Sequence, residues 1–278
     1  ALPICKSVEK LERENKLVKE WLSRLPTTDM ANFGWIEKIS NRSEKLLACL
    51  KFFDVFSVEE YQVKYIGLLA ETAFRTSQTF DSSNEAIASW LRQGEIEASR
   101  IPCAEWNKDA LTNLIPTIRS LSTIGNPQSF LPKLKDCLSA CGVALAVVRS
   151  PRGCGASGAT FWPAPNKPIL ILSFKYLSDD HFWFTLFHEI GHLVLHSDHR
   201  LILETKEKTG LDIENEADIF SENVLIPDEY KSELVTLRAK DLRKIVKFAK
   251  KLDISKGIVV GQLQHKGIIP TNYLNKLK

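Results

Sequence analysis

The spacing of hydrophobic residues predicts that the first hundred residues are almost wholly helical. Helical patterns run over 41–56 and 57–73, and a further helix begins at Ser83 or Asn84. Between positions 8 and 25, steps of three and four residues mark the seam of a short coiled coil, at Val8, Leu11, Asn15, Val18, Leu22 and Leu25. So short a seam fits either a homodimer through residues 8–25 or one helix docked on its own domain.

Beyond Pro102 the pattern alternates between helices and β-rich apolar runs. The runs at 142–148 and 168–173, with 159–162 between them, predict a small antiparallel sheet. Helical patterns precede and follow these runs, at 109–121, 129–141, 212–225 and 239–252. A long apolar helix runs from Ser178 or Asp179 to about His196, and a short helix begins near Ser255.

The order of these elements predicts an α+β fold that is mostly helical, with the small sheet packed on the long apolar helix. We place a domain boundary after residue 104. Residues 1–104 are expected to form an all-helical linker, partner-binding or dimerisation region, and residues 105–278 the second domain.

Composition indicates an ordinary globular protein and narrows the choice of partners. Hydrophobic residues make up 44% and charged residues 26% of the chain, and the formal net charge is +3. So small a charge gives no global attraction to nucleic acid or membrane, and direct nucleic-acid binding is not expected. No run approaches the ~18 apolar residues of a membrane span, and the first residues turn charged too early for a signal peptide. We therefore expect a cytoplasmic location.

The long apolar helix carries the residues that indicate chemistry. His188, Glu189 and His192 form the pattern H-E-x-x-H. Residues four apart lie on one helical face, so the two imidazoles can reach one metal ion, while the glutamate can accept a proton from water. Nitrogen ligands completed by an oxygen ligand suit Zn²⁺. The pattern predicts one zinc ion, with His188 and His192 as ligands and Glu189 as the catalytic base.

A catalytic zinc needs a third protein ligand, and several residues compete for that place. His196 lies four residues after His192 and about 80° around the helix from His188, which favours packing or a place at the rim. In the helix 212–225, Glu216 lies ~70° from the centre of the apolar stripe and Glu214 ~90° away on the other flank. This geometry gives Glu216 only a small lead. The candidates for a residue that supports a metal ligand from outside, or that stabilises the oxyanion, are His196, Tyr230 and His265.

Together these segments resemble the ImmA/IrrE family of metallopeptidases. HEIGH is preceded by FTLF and followed by E-x-E-A-D-x-F and L-I-P, and GVALAVV, PILILS and DISKGIVVGQLQH agree. The resemblance covers roughly residues 105–278 and implies a zinc peptidase in which the glutamate directly before alanine, Glu216, is the third ligand. It also implies a substrate, a helix-turn-helix repressor of mobile-element, defence or stress genes. The strand Ile169–Ser173 is expected to pair with that substrate.

Two other interpretations remain. The first is a non-catalytic regulatory or partner/DNA-binding module with a structural or sensory zinc, in which His196 could be a fourth ligand. Glu189 argues against it, because a closed site has no use for an unligated glutamate. Gly153, Gly155 and Gly158 match G-x-G-x-x-G, but the following prolines do not allow the helix that a dinucleotide site requires. We interpret this segment as a loop near the cleft.

Overall fold

A computed structural model of the chain describes residues 15–76, 83–173, 178–196, 201–204 and 212–278. Contacts between Cα atoms divide the chain into two units: Ala1–Gln93 with Arg149–Ala156, and Gly94–Val148 with Ser157–Lys278. The domain boundary placed after residue 104 stays a prediction.

The described part of the first unit is built of helices, as the sequence predicted. They are α1 (residues 15–24), α2 (Thr27–Asn32), α3 (Arg42–Phe53), α4 (Val58–Tyr61), α5 (Gly67–Thr76) and the start of α6 (Asn84–Ala98). A π-helical turn, Gln62–Ile66, joins α4 to α5. The side chain of Asn41 accepts hydrogen bonds from the N–H groups of Ser43 and Glu44, so α3 begins at a capped end.

Aromatic side chains form the core of the first unit. Trp21 of α1 is buried, with its ring centroid 6.0 Å from that of Phe53 and 5.0 Å from that of Tyr61. Trp21 lies outside the seam predicted from the sequence, whose members Val18 and Leu22 are half-buried. Thus α1 docks within its own unit. Val8 and Leu11 lie outside the described residues, and pairing of two chains through the seam stays a prediction.

The second unit combines helices with a four-stranded sheet. Its helices after α6 are α7 (Lys108–Ser120), α8 (Pro127–Ala140), α9 (Asp179–Leu195), α10 (Asp212–Leu225), α11 (Asp228–Leu234), α12 (Leu242–Leu252) and α13 (Lys256–His265). Its strands are β1 (Ala144–Val147), β2 (Gly158–Ala164), β3 (Lys167–Leu172) and β4 (Leu201–Glu204). The mostly helical α+β fold is confirmed, while α11 and β4 were not predicted.

The strand order is β1-β3-β2-β4, and the sheet is mixed. β2 pairs antiparallel with β3 and with β4, but β1 pairs parallel with β3, so the wholly antiparallel sheet expected from the sequence is wrong. Both edges of β3 are occupied, and its residues Pro168–Leu172 are buried. The expectation that this strand pairs with substrate is therefore also wrong, because its run of apolar residues marks an interior strand.

Helix α9 occupies the middle of the second unit, where it packs against β2, β3, α10 and α13. Gly191 allows α10 to come close, since a Cβ there would lie 3.3 Å from the Cα of Ala217. Most of α9 is buried, including both histidines of the H-E-x-x-H pattern. In the described parts of the chain, no helix combines the length and apolar character that a membrane crossing requires.

Candidate metal centre

The imidazoles of His188 and His192 meet on one face of α9. Their Nε2 atoms are 3.0 Å apart, and both residues are almost completely buried. The helical spacing of four residues accounts for this meeting, as the sequence predicted for two rings on one face.

Glu214 of α10 completes a three-residue cluster with these histidines. Its Oε2 lies 3.2 Å from Nε2 of His188, and its Oε1 lies 3.6 Å from Nε2 of His192. One ligand atom from each of the three residues lies within 4.8 Å of the others. Oε1 of Glu214 is buried and has no hydrogen-bond partner among the described residues. Lone pairs from two nitrogens and an oxygen thus converge on one point, which suits a cation.

The electrostatics of the cluster favour the protonation states that bind a metal. Burial lowers the pKa of His192 to about 4. Burial raises the pKa of Glu214, but its close contacts with the imidazoles of His188 and His192 outweigh burial and lower that pKa to about 2. Near neutral pH the imidazole of His192 is therefore neutral and the carboxylate of Glu214 is ionised, as metal ligation requires.

Asp218, one turn beyond Glu214 on α10, contacts the far side of the His188 ring. Its Oδ1 lies 3.0 Å from Nδ1 of His188. A carboxylate at this place favours the tautomer with the proton on Nδ1, which leaves the lone pair of Nε2 directed into the cluster.

The structure places Glu216 away from the cluster, in contrast to the prediction from the sequence. Glu216 is 59% exposed, and its Oε2 lies 3.0 Å from Nε2 of His196. Glu214, the residue that the geometric argument had ranked second, takes the place expected for Glu216. The identity of the third metal ligand stays a prediction.

The physical reason is the rotation of α10 about its axis. Its buried residues are Ala217, Ser221 and Leu225, rather than the stripe through Ala217 that includes Phe220. The centre of the buried face is thereby shifted by about 70°, which puts Glu214 roughly 20° from that centre. Ser221 is buried because its hydroxyl donates a hydrogen bond to the carbonyl of Phe184, 2.9 Å away.

Glu189 is fully buried against β2. The hydroxyl of Thr160 donates a hydrogen bond to Oε2 of Glu189 over 2.6 Å. Gly158 provides space for the same carboxylate, since a Cβ at that position would lie 2.4 Å from its Oε1. Sequence reasoning missed Thr160, and it placed Gly158 in a loop near the cleft without a role beside Glu189. The signal was the third glycine of G-x-G-x-x-G, which marks a close approach of a side chain to the backbone rather than a nucleotide site.

The remaining sequence-predicted residues divide into one neighbour of the cluster and two residues with other contacts. Nδ1 of His196 lies 3.1 Å from Nδ1 of His192. The ring of Tyr230 lies under the ammonium of Lys251, 4.9 Å from its centroid. Nε2 of His265 lies 3.8 Å from a carboxylate oxygen of Glu222.

A known protein family matches the segment that contains this site. Residues 153–263 match the family model Peptidase_M78, described as an IrrE N-terminal-like domain. No curated protein sequence matches the chain.

The matched segment extends from the glycine loop into α13 and includes α9 and α10. The His188–His192–Glu214 cluster, Glu189 and its partner Thr160 therefore all lie inside the segment that matches a peptidase-family model. The resemblance to the ImmA/IrrE family is confirmed over residues 153–263.

Proposed function

We propose that the chain is a zinc-dependent endopeptidase whose metal is held by His188, His192 and Glu214. The observation that carries this proposal is the convergence of their three ligand atoms inside a peptidase-family segment. Two neutral nitrogens and one carboxylate oxygen are a common ligand set of catalytic zinc, and three protein ligands leave a position open for water or substrate.

The contacts of His196 also support an open, catalytic zinc site. A closed, structural zinc site would need a fourth protein ligand, and His196 is the nearest residue that could supply one. Its Nδ1 faces His192 and its Nε2 faces Glu216, so both nitrogens are engaged outside the point where the three ligand atoms converge. This arrangement supports the peptidase over a regulatory module with a structural or sensory zinc.

Glu189 is the proposed base in peptide hydrolysis. A bound zinc ion would polarise the scissile carbonyl and lower the pKa of water toward ~7. Glu189 accepts a proton from the attacking water and passes it to the amine of the leaving segment. Thr160 holds the carboxylate in place through its hydrogen bond to Oε2.

The proposed substrate is a helix-turn-helix repressor, as the family resemblance implies. We propose that its cleaved segment pairs in extended form with β4, because β4 is an edge strand of the sheet that the described residues form. Ile202 of β4 is the partner of Thr160 in the register of these strands, so the paired segment would lie one strand away from the residue that holds Glu189. Pairing of this kind requires the repressor to expose a linker, which restricts cleavage to suitable partners.

The test is cleavage of the helix-turn-helix regulator encoded beside the gene of this protein. The zinc-loaded full chain, the chain treated with a chelator and the Glu189→Gln variant are each incubated with the regulator, and fragments are identified by mass spectrometry. We expect discrete fragments from the first alone, with a loss of about 10²-fold or more for Glu189→Gln. Gln fills the same volume but cannot accept the proton. Fragments at equal rates in all three samples would contradict the proposal.

A further inference from the structure

His196 and Glu216 form a hydrogen-bonded chain that ends on His192. Nδ1 of His196 is 3.1 Å from Nδ1 of His192, and Nε2 of His196 is 3.0 Å from Oε2 of Glu216. His196 directly follows the last residue of α9, and Glu216 belongs to α10. The chain therefore links the two helices that carry the candidate metal ligands, and it runs from a buried ring to an exposed carboxylate.

Metal ligation by His192 would allow only one arrangement of protons along this chain. Nε2 of His192 is the atom in the cluster, so the neutral ring must carry its proton on Nδ1. That proton is donated to Nδ1 of His196, which must then present a lone pair. Neutral His196 in turn carries its proton on Nε2 and donates it to the carboxylate of Glu216. Each donor in the chain thus meets an acceptor.

We propose that His196 and Glu216 are positioning residues, which hold His192 in the tautomer and orientation that bind the metal. The inference rests on the proposed function, because it needs a metal at His188, His192 and Glu214. Asp218 contacts His188 directly, whereas the carboxylate partner of His192 acts through an intervening imidazole. Partners of this kind fix the ring before the metal arrives, and their loss costs roughly 10–100-fold in metal affinity.

The experiment measures zinc affinity by competition with a chromophoric chelator, using the full chain. The variants are His196→Ala, His196→Asn and Glu216→Gln, and Glu216→Gln is also made in the His196→Asn background. Asp212→Asn is the matched control, since Asp212 is an exposed acid on the same helix and loses the same charge. Absorption of the Co²⁺-loaded proteins reports whether the ligand set itself has changed.

We expect His196→Ala to weaken zinc binding by about 10-fold or more. His196→Asn should recover most of this loss, because its amide oxygen can accept from Nδ1 of His192. Glu216→Gln should weaken binding less than His196→Ala, since Glu216 is exposed, and should have no effect in the His196→Asn background, where no ring reaches it. Asp212→Asn should match the wild type, and the Co²⁺ spectrum should keep its shape in every variant.

Wild-type affinity in His196→Ala would overturn the proposal. So would an equal effect of Glu216→Gln in both backgrounds, or a changed Co²⁺ spectrum in His196→Ala, which would make His196 a ligand. Glu216→Gln replaces an exposed side chain, so it tests the chain even if His196→Ala does not fold. Failure of the wild-type chain to bind zinc would instead overturn the proposed function, so the two failures can be told apart.

Discussion

Gly158 is expected to tolerate no side chain, because the space beside it is filled by Glu189. In Gly158→Ala the new Cβ would lie 2.4 Å from Oε1 and 2.9 Å from Cγ of Glu189, and 2.8 Å from Cγ2 of Thr185. An ordinary contact begins near 3.4 Å, so the carboxylate must move by about 1 Å. That movement breaks or lengthens the 2.6 Å hydrogen bond from Thr160.

The magnitude follows from the cost of overpacking a buried site, which is roughly 1–3 kcal/mol. A domain of 150–250 residues loses about 2–4 °C of Tm per kcal/mol, so Gly158→Ala should lower Tm by roughly 2–12 °C. Thermal unfolding is followed by circular dichroism with a chelator present, so that metal binding does not contribute. Gly125→Ala is the control, because a Cβ at Gly125 would meet nothing within 4 Å.

A double-mutant cycle with Glu189→Ala tests whether this carboxylate is the cause. Removing it eliminates two of the three close contacts and leaves only the one with Thr185. The effect of Gly158→Ala should therefore be smaller by about 1 kcal/mol or more in the Glu189→Ala background. The reasoning would be refuted by an unchanged Tm in Gly158→Ala, or by the same loss of Tm in both backgrounds.

Three further predictions concern metal binding, acid stability and thiol reactivity. Glu214→Gln should weaken zinc affinity by more than the roughly 10–100-fold that is lost when a hydrogen-bond partner of a ligand is removed, and by more than Glu216→Gln does. Equal losses of affinity in the two variants, measured by chelator competition, would contradict the proposed ligand set. The backbone N–H of Arg152 lowers the pKa of Asp29. Asp29→Asn should therefore destabilise the protein at pH values above the ordinary pKa of aspartate, ~3.9, and should destabilise it less as the pH falls through the lowered pKa. Denaturant unfolding above ~3.9 and below the lowered pKa would measure this difference. Burial raises the pKa of the Cys49 thiol to about 11, so at pH 8 iodoacetamide should label it far more slowly in the native than in the denatured protein, by peptide mass spectrometry.

Helical periodicity predicted the parts of the site that depend on one element. His188 and His192 share a face because of their spacing alone, so their meeting could be predicted without any knowledge of packing. The rotation of α10 could not be predicted in this way. It depends on Gly191, which allows close approach, and on Ser221, which is buried through a hydrogen bond to another helix. An error of about 70° in that rotation was enough to exchange Glu214 and Glu216.

The strands show the same division between local and non-local information. The apolar runs that became β1 and β3 were predicted as strands, but their parallel pairing depends on β2 lying on the far side of β3. β4 has four residues and α11 has seven, which is too short for a periodic pattern to stand out from its surroundings. Thr160 could not be recognised as a site residue, because its role depends on the register of β2 beneath α9.

The division of the ligand atoms between α9 and α10 has a thermodynamic consequence. A metal ion bound by both helices acts as a reversible crosslink, and it binds only the state in which they are packed together. By mass action it stabilises that state by RT ln(1 + [Zn²⁺]/Kd), which amounts to about 4 kcal/mol at a thousandfold excess over Kd. The zinc concentration would then determine the stability of the packing between α9 and α10 as well as the fraction of sites that are occupied. Depletion of zinc would loosen α10 first, since α9 is also held by the sheet and α13.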